Sequence, residues 1–100
     1  MSLPAILRPQ AEADVVEIFA DLQFIRAGLG KRFLMRLREV LERIEWMPEM
    51  YGIVWQDVRA ASVRKFRYVV YYIVMPDRVD VLAILHAARD ESHWKSRLSP

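Results

Sequence analysis

The chain has 100 residues, which is enough for one compact domain and too few for two. Because it contains no cysteine, a disulfide scaffold, a zinc ribbon, an iron–sulfur site and a thiol nucleophile are all excluded. The sequence is 54% hydrophobic and 28% charged, so it has ample apolar material to fold, and a disordered protein is excluded. No apolar run approaches the roughly 20 residues that a membrane-spanning helix requires. The N-terminus shows no signal-peptide pattern, so a cytoplasmic protein is expected.

The net charge is only +2, but the charges are arranged in blocks of one sign. Residues 10–25 carry four acids and no base, whereas residues 26–38 carry five bases and no acid. Residues 39–57 are acidic apart from Arg43, and residues 59–75 carry four bases and no acid. Such blocks are typical either of solvated faces that pair within the fold or of a basic surface that binds an acidic partner or a phosphate backbone.

The first half of the chain predicts a short strand followed by a helical hairpin. Residues 5–8 form an apolar segment that ends at Pro9, and Pro9 is well suited to open a helix. From Ala11 to Ile25 apolar residues recur every three or four positions, which predicts the first helix. A Gly-Leu-Gly turn ends it, and residues 31–47 show a second helical stripe that is expected to pack antiparallel to the first.

The second half predicts three strands, because it contains three runs rich in Val, Ile, Tyr and Phe. These runs are residues 58–63, 66–75 and 79–87. A Pro-Asp-Arg turn joins the last two strands, so these two are expected to pair as an antiparallel hairpin. Both are apolar on their two faces, so we expect the helices to cover one face and another chain to cover the other.

The end of the chain contains a single large apolar anchor, Trp94. Residues 90–98 predict either a short terminal helix or a tail. Residues 89–100 as a whole are a candidate for a segment that is mobile or that becomes ordered with a partner.

The predicted order of elements is β-α-α-β-β-β, which makes one two-layer α+β domain over residues 1–100. Four stretches in this order carry a family resemblance: RPQAEADVVEIF, GLGKRFLMRLREVLERIEWMPEMYG, VRKFRYVVYYIV and VLAILHAARDESHW. With them, the chain resembles the RelE/ParE superfamily of bacterial toxins, and most nearly its ParE-like branch. The expected fold is a helical hairpin packed on a small antiparallel sheet of three or four strands, with residues 5–8 added at an edge or beside the last strand.

The resemblance implies the toxin of a type II toxin–antitoxin system, with an antitoxin partner whose extended C-terminal segment wraps the toxin in a hetero-oligomer. ParE-like toxins act on DNA gyrase and block replication without enzymatic activity. RelE-like members instead cut mRNA at the ribosome with basic residues and a Tyr or His near the C-terminus. No tyrosine follows Tyr72 here, which favours the gyrase inhibitor. An mRNA interferase stays open as an alternative, and so does a partner-binding module without toxicity.

The candidate functional surface joins a basic cluster at the start of the central strand to the C-terminal rim of the sheet. Its residues are Arg64, Lys65, Arg67, His86, Arg89 and Trp94. The first three have no acid nearby in sequence, so an acidic antitoxin or the target would offset their mutual repulsion. If the protein is a ribonuclease, its catalytic residues would be Arg64, Arg67, His86 and Arg89, with cations around the phosphate and His86 transferring the proton.

Four of these residues also have a structural interpretation. Arg64 and Arg67 fit a solvated strand face, and His86 fits a histidine that caps the sheet edge. Trp94 either packs the tail against the sheet or contacts the target. The other tryptophans, Trp46 and Trp55, flank the helix-to-sheet corner, where core packing is the favoured interpretation.

The sequence contains no pattern for a metal, a cofactor or a nucleophilic serine. His86 and His93 are the only histidines, and their spacing matches no ligand set. The serines lie outside any strand-turn-helix elbow, and no glycine-rich phosphate loop is present. No cofactor and no metal are therefore expected.

Overall fold

Two long helices pack on one face of a five-stranded sheet in the computed structural model, which describes residues 2–98. A third, short helix follows the last strand. The elements in chain order are β1 (Ala5–Leu7), α1 (Pro9–Ile25), α2 (Leu29–Trp46), β2 (Ile53–Trp55), β3 (Val58–Ser62), β4 (Tyr68–Val74), β5 (Val79–His86) and α3 (Glu91–Leu98). The predicted α+β fold with its helical hairpin is confirmed, with one additional strand.

The strands are arranged in the order β1-β5-β4-β3-β2. β1 runs parallel to β5, and the other neighbouring pairs are antiparallel. The first strand therefore lies at an edge and beside the last strand, as predicted, and it makes the sheet mixed rather than wholly antiparallel. β2 is not apparent in the sequence, because three residues are too few to show an alternating pattern. It forms by pairing with β3 next to a turn in which Gln56 adopts a left-handed φ of 52°.

The helix-facing side of the sheet carries the main core. Among its largest fully buried side chains are Tyr72, Phe33, Ile44 and Ile84. The Tyr72 hydroxyl donates a hydrogen bond to the carbonyl oxygen of Pro48 at 2.7 Å, which ties the segment after α2 to the sheet. Burial raises the pKa of Tyr72 to about 12, so this hydroxyl keeps its proton and remains a donor at neutral pH.

The opposite face of the sheet carries a second apolar cluster, built on Tyr71, Leu82 and Leu85. Trp94 and Leu98 of α3 pack on it, and the Trp94 ring stacks on Tyr71 with 5.3 Å between ring centroids. The prediction that both faces of the last two strands are apolar is confirmed. The chain's own last helix covers part of the second face, so the prediction that another chain covers it stays a prediction for the part that α3 leaves open. Trp94 and Leu98 are four residues apart and therefore lie on one side of that helix.

Gly30 sets the distance between α1 and α2. It is buried, and a Cβ atom built on it would lie 2.8 Å from the Phe19 ring and 2.7 Å from Gln23 Cγ. We expect Gly30→Ala to lower the free energy of unfolding by about 1–3 kcal/mol, because overpacking outweighs the better helix propensity of alanine. Gly52→Ala is the matched control, since nothing lies within 4 Å of its Cβ position. Equal losses for the two variants in urea unfolding would contradict this prediction.

Asp80 of β5 is buried and accepts hydrogen bonds from Arg78 Nε at 2.8 Å and from Arg8 Nη2 at 3.1 Å. The hydrogen bond from Arg78, together with the one from Arg8, holds the pKa of the Asp80 carboxyl below its usual value, although burial opposes the shift. The unfolded chain therefore binds this proton at a higher pH than the native state does. The stabilisation is complete above the unfolded pKa of about 4 and is lost as the pH falls towards the native pKa.

We expect Asp80→Asn to lower the free energy of unfolding by about 2 kcal/mol at neutral pH, as loss of hydrogen bonds to a charged partner does. The difference from the original protein should shrink as the pH falls below the unfolded pKa of about 4, because the carboxyl of the unfolded chain then binds its proton before the native carboxyl does. Urea titrations at several pH values measure it. A difference that does not change with pH would show that Asp80 acts through packing rather than charge.

Candidate functional site

A cleft of about 120 Å³ lies at the rim of the sheet where β5 ends. α1 lines one side of it with carboxylates, and the two central strands and the turn after β5 line the other. Its polar residues include Asp14, Glu17, Asp21, Tyr68, His86 and Arg89. Two of the residues in the predicted site, His86 and Arg89, thus share one cleft, and they share it with three acids that were not part of the prediction.

His86 is held in place from two sides. Its Nδ1 atom accepts a hydrogen bond from the backbone N–H of Ala88 at 3.0 Å, in the turn after β5. Its ring meets the Tyr68 ring nearly edge-on, with 5.3 Å between centroids. These contacts support the structural interpretation of His86, because one of its two ring nitrogens is occupied by the local turn.

The three acids of α1 outnumber the two arginines that line the cleft. Burial raises the pKa of Tyr68, and the carboxylates of Asp21 and Glu17 raise it further, while Arg89 opposes them. Tyr68 therefore keeps its proton at neutral pH and is no general base there. The same carboxylates make the cleft unfavourable for a phosphate group.

Asp14 joins three elements at this cleft. Its Oδ2 accepts a hydrogen bond from the backbone N–H of Ile84 at 3.0 Å, on the edge of β5 that β1 leaves unpaired. Arg97 of α3 donates to both carboxylate oxygens of Asp14, at 2.9 and 3.1 Å. One side chain thus satisfies a strand edge and holds the C-terminal helix. The sequence offered no signal for it beyond an acid in the first turns of a helix.

The basic cluster lies in the β3–β4 turn, where Arg64, Lys65 and Arg67 are exposed. The turn is well anchored, since the Phe66 ring packs edge-on against Phe33 with 5.5 Å between centroids. Lys65 adopts a left-handed φ of 67°, and it lines a groove beside α2 rather than the cleft. The three cations form no ion pair with any residue in the described range 2–98.

Two further observations place the remaining predicted residues. The backbone carbonyl of Arg67 accepts a hydrogen bond from Ala87 N–H at 2.8 Å, so this end of the basic cluster adjoins the turn after β5. Trp94 instead lies on the far face of the sheet, against Tyr71 and Trp55. The six residues of the predicted site therefore do not form one site. They are distributed over the cleft, the basic turn and the far face.

Within residues 2–98, no three His, Cys, Asp or Glu side chains are grouped so that they could hold a metal ion. None of the helices over the same range combines the length and the hydropathy needed to cross a membrane.

Comparison with known proteins identifies the family. The model of the ParE toxin of type II toxin–antitoxin system, parDE, matches residues 5–91. The chain belongs to the ParE toxin family. A solved structure described as the chromosomal ParDE TA system from P. aeruginosa aligns with a TM-score of 0.64 at 12% identity, covering 85% of this chain and 96% of the other. At that identity the likeness shows a shared fold. A search of curated proteins gives no match.

The match to the ParE family extends from β1 to the first residue of α3. It confirms the resemblance and covers the helical hairpin, the whole sheet, the basic turn and most of the cleft. Trp94 and Arg97 lie beyond its end. The ParE-family part of the chain thus contains the exposed cations, and the residues that fasten α3 to the domain follow it.

Proposed function

We propose that this ParE-family toxin binds and inhibits DNA gyrase in the cytoplasm and that a cognate antitoxin neutralises it in a toxin–antitoxin complex. The observation that carries the proposal is the separation of the candidate chemical groups. His86 lies among carboxylates in the cleft, whereas Arg64 and Lys65 lie in the exposed turn. A toxin that acts by binding needs an exposed surface. It does not need a proton-transferring group and cations brought together in one site, as a ribonuclease does.

Cleavage of RNA through the 2′-hydroxyl needs a base, an acid and cations around one phosphate. In the cleft, Arg97 is paired with Asp14, and Glu17 and Asp21 face the remaining cation, Arg89. A phosphate placed beside His86 would meet more negative than positive charge. This charge balance favours inhibition by protein binding over the alternative of an mRNA interferase.

Controlled induction of the toxin in bacteria, together with a gyrase assay and a translation assay in vitro, separates the three candidate functions. We expect growth arrest with DNA breaks, inhibition of supercoiling by purified gyrase, and intact mRNA in a translation extract. Cleavage of mRNA at the ribosome with no effect on gyrase would show an mRNA interferase and overturn the proposal. Normal growth at high expression of folded protein would show a non-toxic partner-binding module and overturn it equally.

The basic turn can be tested with the double variant Arg64→Ala/Arg67→Ala. Both side chains are exposed, so the fold should stay intact, with a change in unfolding free energy within about 0.5 kcal/mol. We expect toxicity or antitoxin affinity to fall about tenfold or more, because close charge pairs at an interface steer and hold the partner. The dependence on salt should weaken as well.

The matched control for the basic turn is Arg38→Ala/Arg43→Ala, which removes two exposed cations of α2. Arg38 is 82% exposed and pairs only loosely with Glu42, at 3.5 Å. If the turn variant keeps full toxicity and full antitoxin affinity, Arg64 and Arg67 are solvated turn residues, and the functional surface lies elsewhere on the protein.

A further inference from the structure

A groove of about 520 Å³ runs between the start of α2 and the β3–β4 turn. It is distinct from the cleft at His86 and shares no lining residue with it. Cations come from the end of α1, from α2 and from the turn, and apolar side chains lie between them. The residues used below are Arg26, Arg32, Lys65, Leu29, Met35 and Phe66.

The fold brings two of the basic blocks of the sequence together here. Arg26 and Arg32 come from the block at residues 26–38, and Lys65 comes from the block at residues 59–75. These three cations form no ion pair with any residue between positions 2 and 98, while Arg36 beside them is paired with Glu39 at 3.1 Å. Grouping like charges without a counterion costs free energy, and an acidic ligand would recover that cost.

The same surface is unusually apolar for its charge. Met35 is 62% exposed although it lies in the middle of α2, and Leu29 and Phe66 are half-buried beside it. Outside the groove lining but next to Arg26 in sequence, the last turn of α1 exposes Phe24 by 94% and Ile25 by 72%. Exposed apolar side chains within a ring of charge are typical of protein-binding sites.

We propose that this groove binds an acidic segment of a protein partner, with carboxylates paired to Arg26, Arg32 and Lys65 and an aliphatic side chain seated on Met35 and Phe66. A nucleic acid fits less well. Single strands bind through exposed aromatic faces on which bases stack, and the Phe66 ring is engaged edge-on with Phe33. Assigning the segment to the antitoxin rests on the proposed function, whereas the chemistry of recognition does not.

The test uses two fluorescent synthetic peptides and one oligonucleotide. The acidic peptide repeats Glu-Glu-Leu-Leu, the basic peptide repeats Lys-Lys-Leu-Leu, and the oligonucleotide is a single-stranded oligothymidylate of similar length. We expect the acidic peptide to bind in anisotropy titrations, to shift the Met35 methyl resonance, and to bind more weakly as salt rises from about 50 to about 300 mM. The basic peptide should not bind. If the oligonucleotide binds more tightly than the acidic peptide and also shifts the Met35 methyl resonance, the groove is a nucleic-acid surface and the proposal is overturned.

Variants locate the binding in the groove. Arg32→Ala with Lys65→Asn should weaken the acidic peptide about tenfold, and asparagine suits the left-handed backbone at position 65. Met35→Ala should weaken it about fivefold, while Arg38→Ala on the same helix should leave the affinity unchanged. No binding of the acidic peptide, or equal binding by all variants, would overturn the proposal. The gyrase assay on the same proteins is an independent test. If the protein binds the acidic peptide but has no effect on gyrase, only the proposed function is refuted.

Discussion

Phe33→Ala is expected to lower the free energy of unfolding by about 3–5 kcal/mol, the usual loss when a large aromatic side chain is removed from a core. Phe33 of α2 is fully buried, and the rings of Phe66 and Tyr68 pack edge-on against it, with centroids 5.5 and 5.3 Å away. It therefore connects the helical hairpin to the basic turn and to the start of the central strand. Because small domains are stable by only about 5–15 kcal/mol, this loss is a large fraction of the total.

The matched control is the neighbouring residue of the same helix. Leu34 is 38% exposed, so Leu34→Ala should cost less than about 1 kcal/mol. Urea unfolding followed by circular dichroism measures both variants. Similar losses at the two positions would show that the α2–turn contact is not a stabilising centre of the fold.

Trp94→Ala is expected to cost about 2–3 kcal/mol and to loosen α3 from the far face of the sheet. The ring stacks on Tyr71 and meets Trp55 edge-on, with centroids 5.3 and 6.4 Å away. Removing it uncovers apolar residues of β4 and β5, Tyr71 and Leu82 among them. Binding of a hydrophobic dye should therefore increase, and amides of α3 should exchange faster with solvent.

Trp46→Ala removes the same type of side chain from the end of α2, where it is 66% exposed. We expect a change within about 0.5 kcal/mol and no increase in dye binding. If Trp94→Ala also leaves stability and dye binding unchanged but abolishes toxicity, Trp94 acts by contacting the target, which is the other interpretation that the sequence allowed.

The helices were predictable because amphipathic periodicity is a local property. The stripe from Ala11 to Ile25 and the stripe over residues 31–47 agree with α1 and α2 to within two residues at each end. The strands β3, β4 and β5 were predictable for the same reason, with alternating or continuous apolar runs between turn residues. β2 was not, since its three residues become a strand only by pairing with β3.

Core packing was a correct interpretation for some aromatic residues and a wrong one for others. Tyr72 is fully buried, and Trp55 is half-buried against Trp94. Trp46, the last residue of α2, is largely exposed. Apolar composition shows that a side chain is available for a core. It does not show which side of a helix end faces that core.

The sequence by itself determined the family, the order of the elements and the presence of two basic blocks, because each of the three depends only on the order of residues along the chain. Only the tertiary structure decided which charges meet. It set the acids of α1 opposite His86, joined Asp14 to Arg97 across 83 positions, and gathered Arg26, Arg32 and Lys65 around one groove. Electrostatic interactions depend on distance in space and on the solvent between the charges, and neither can be read from separation along the chain.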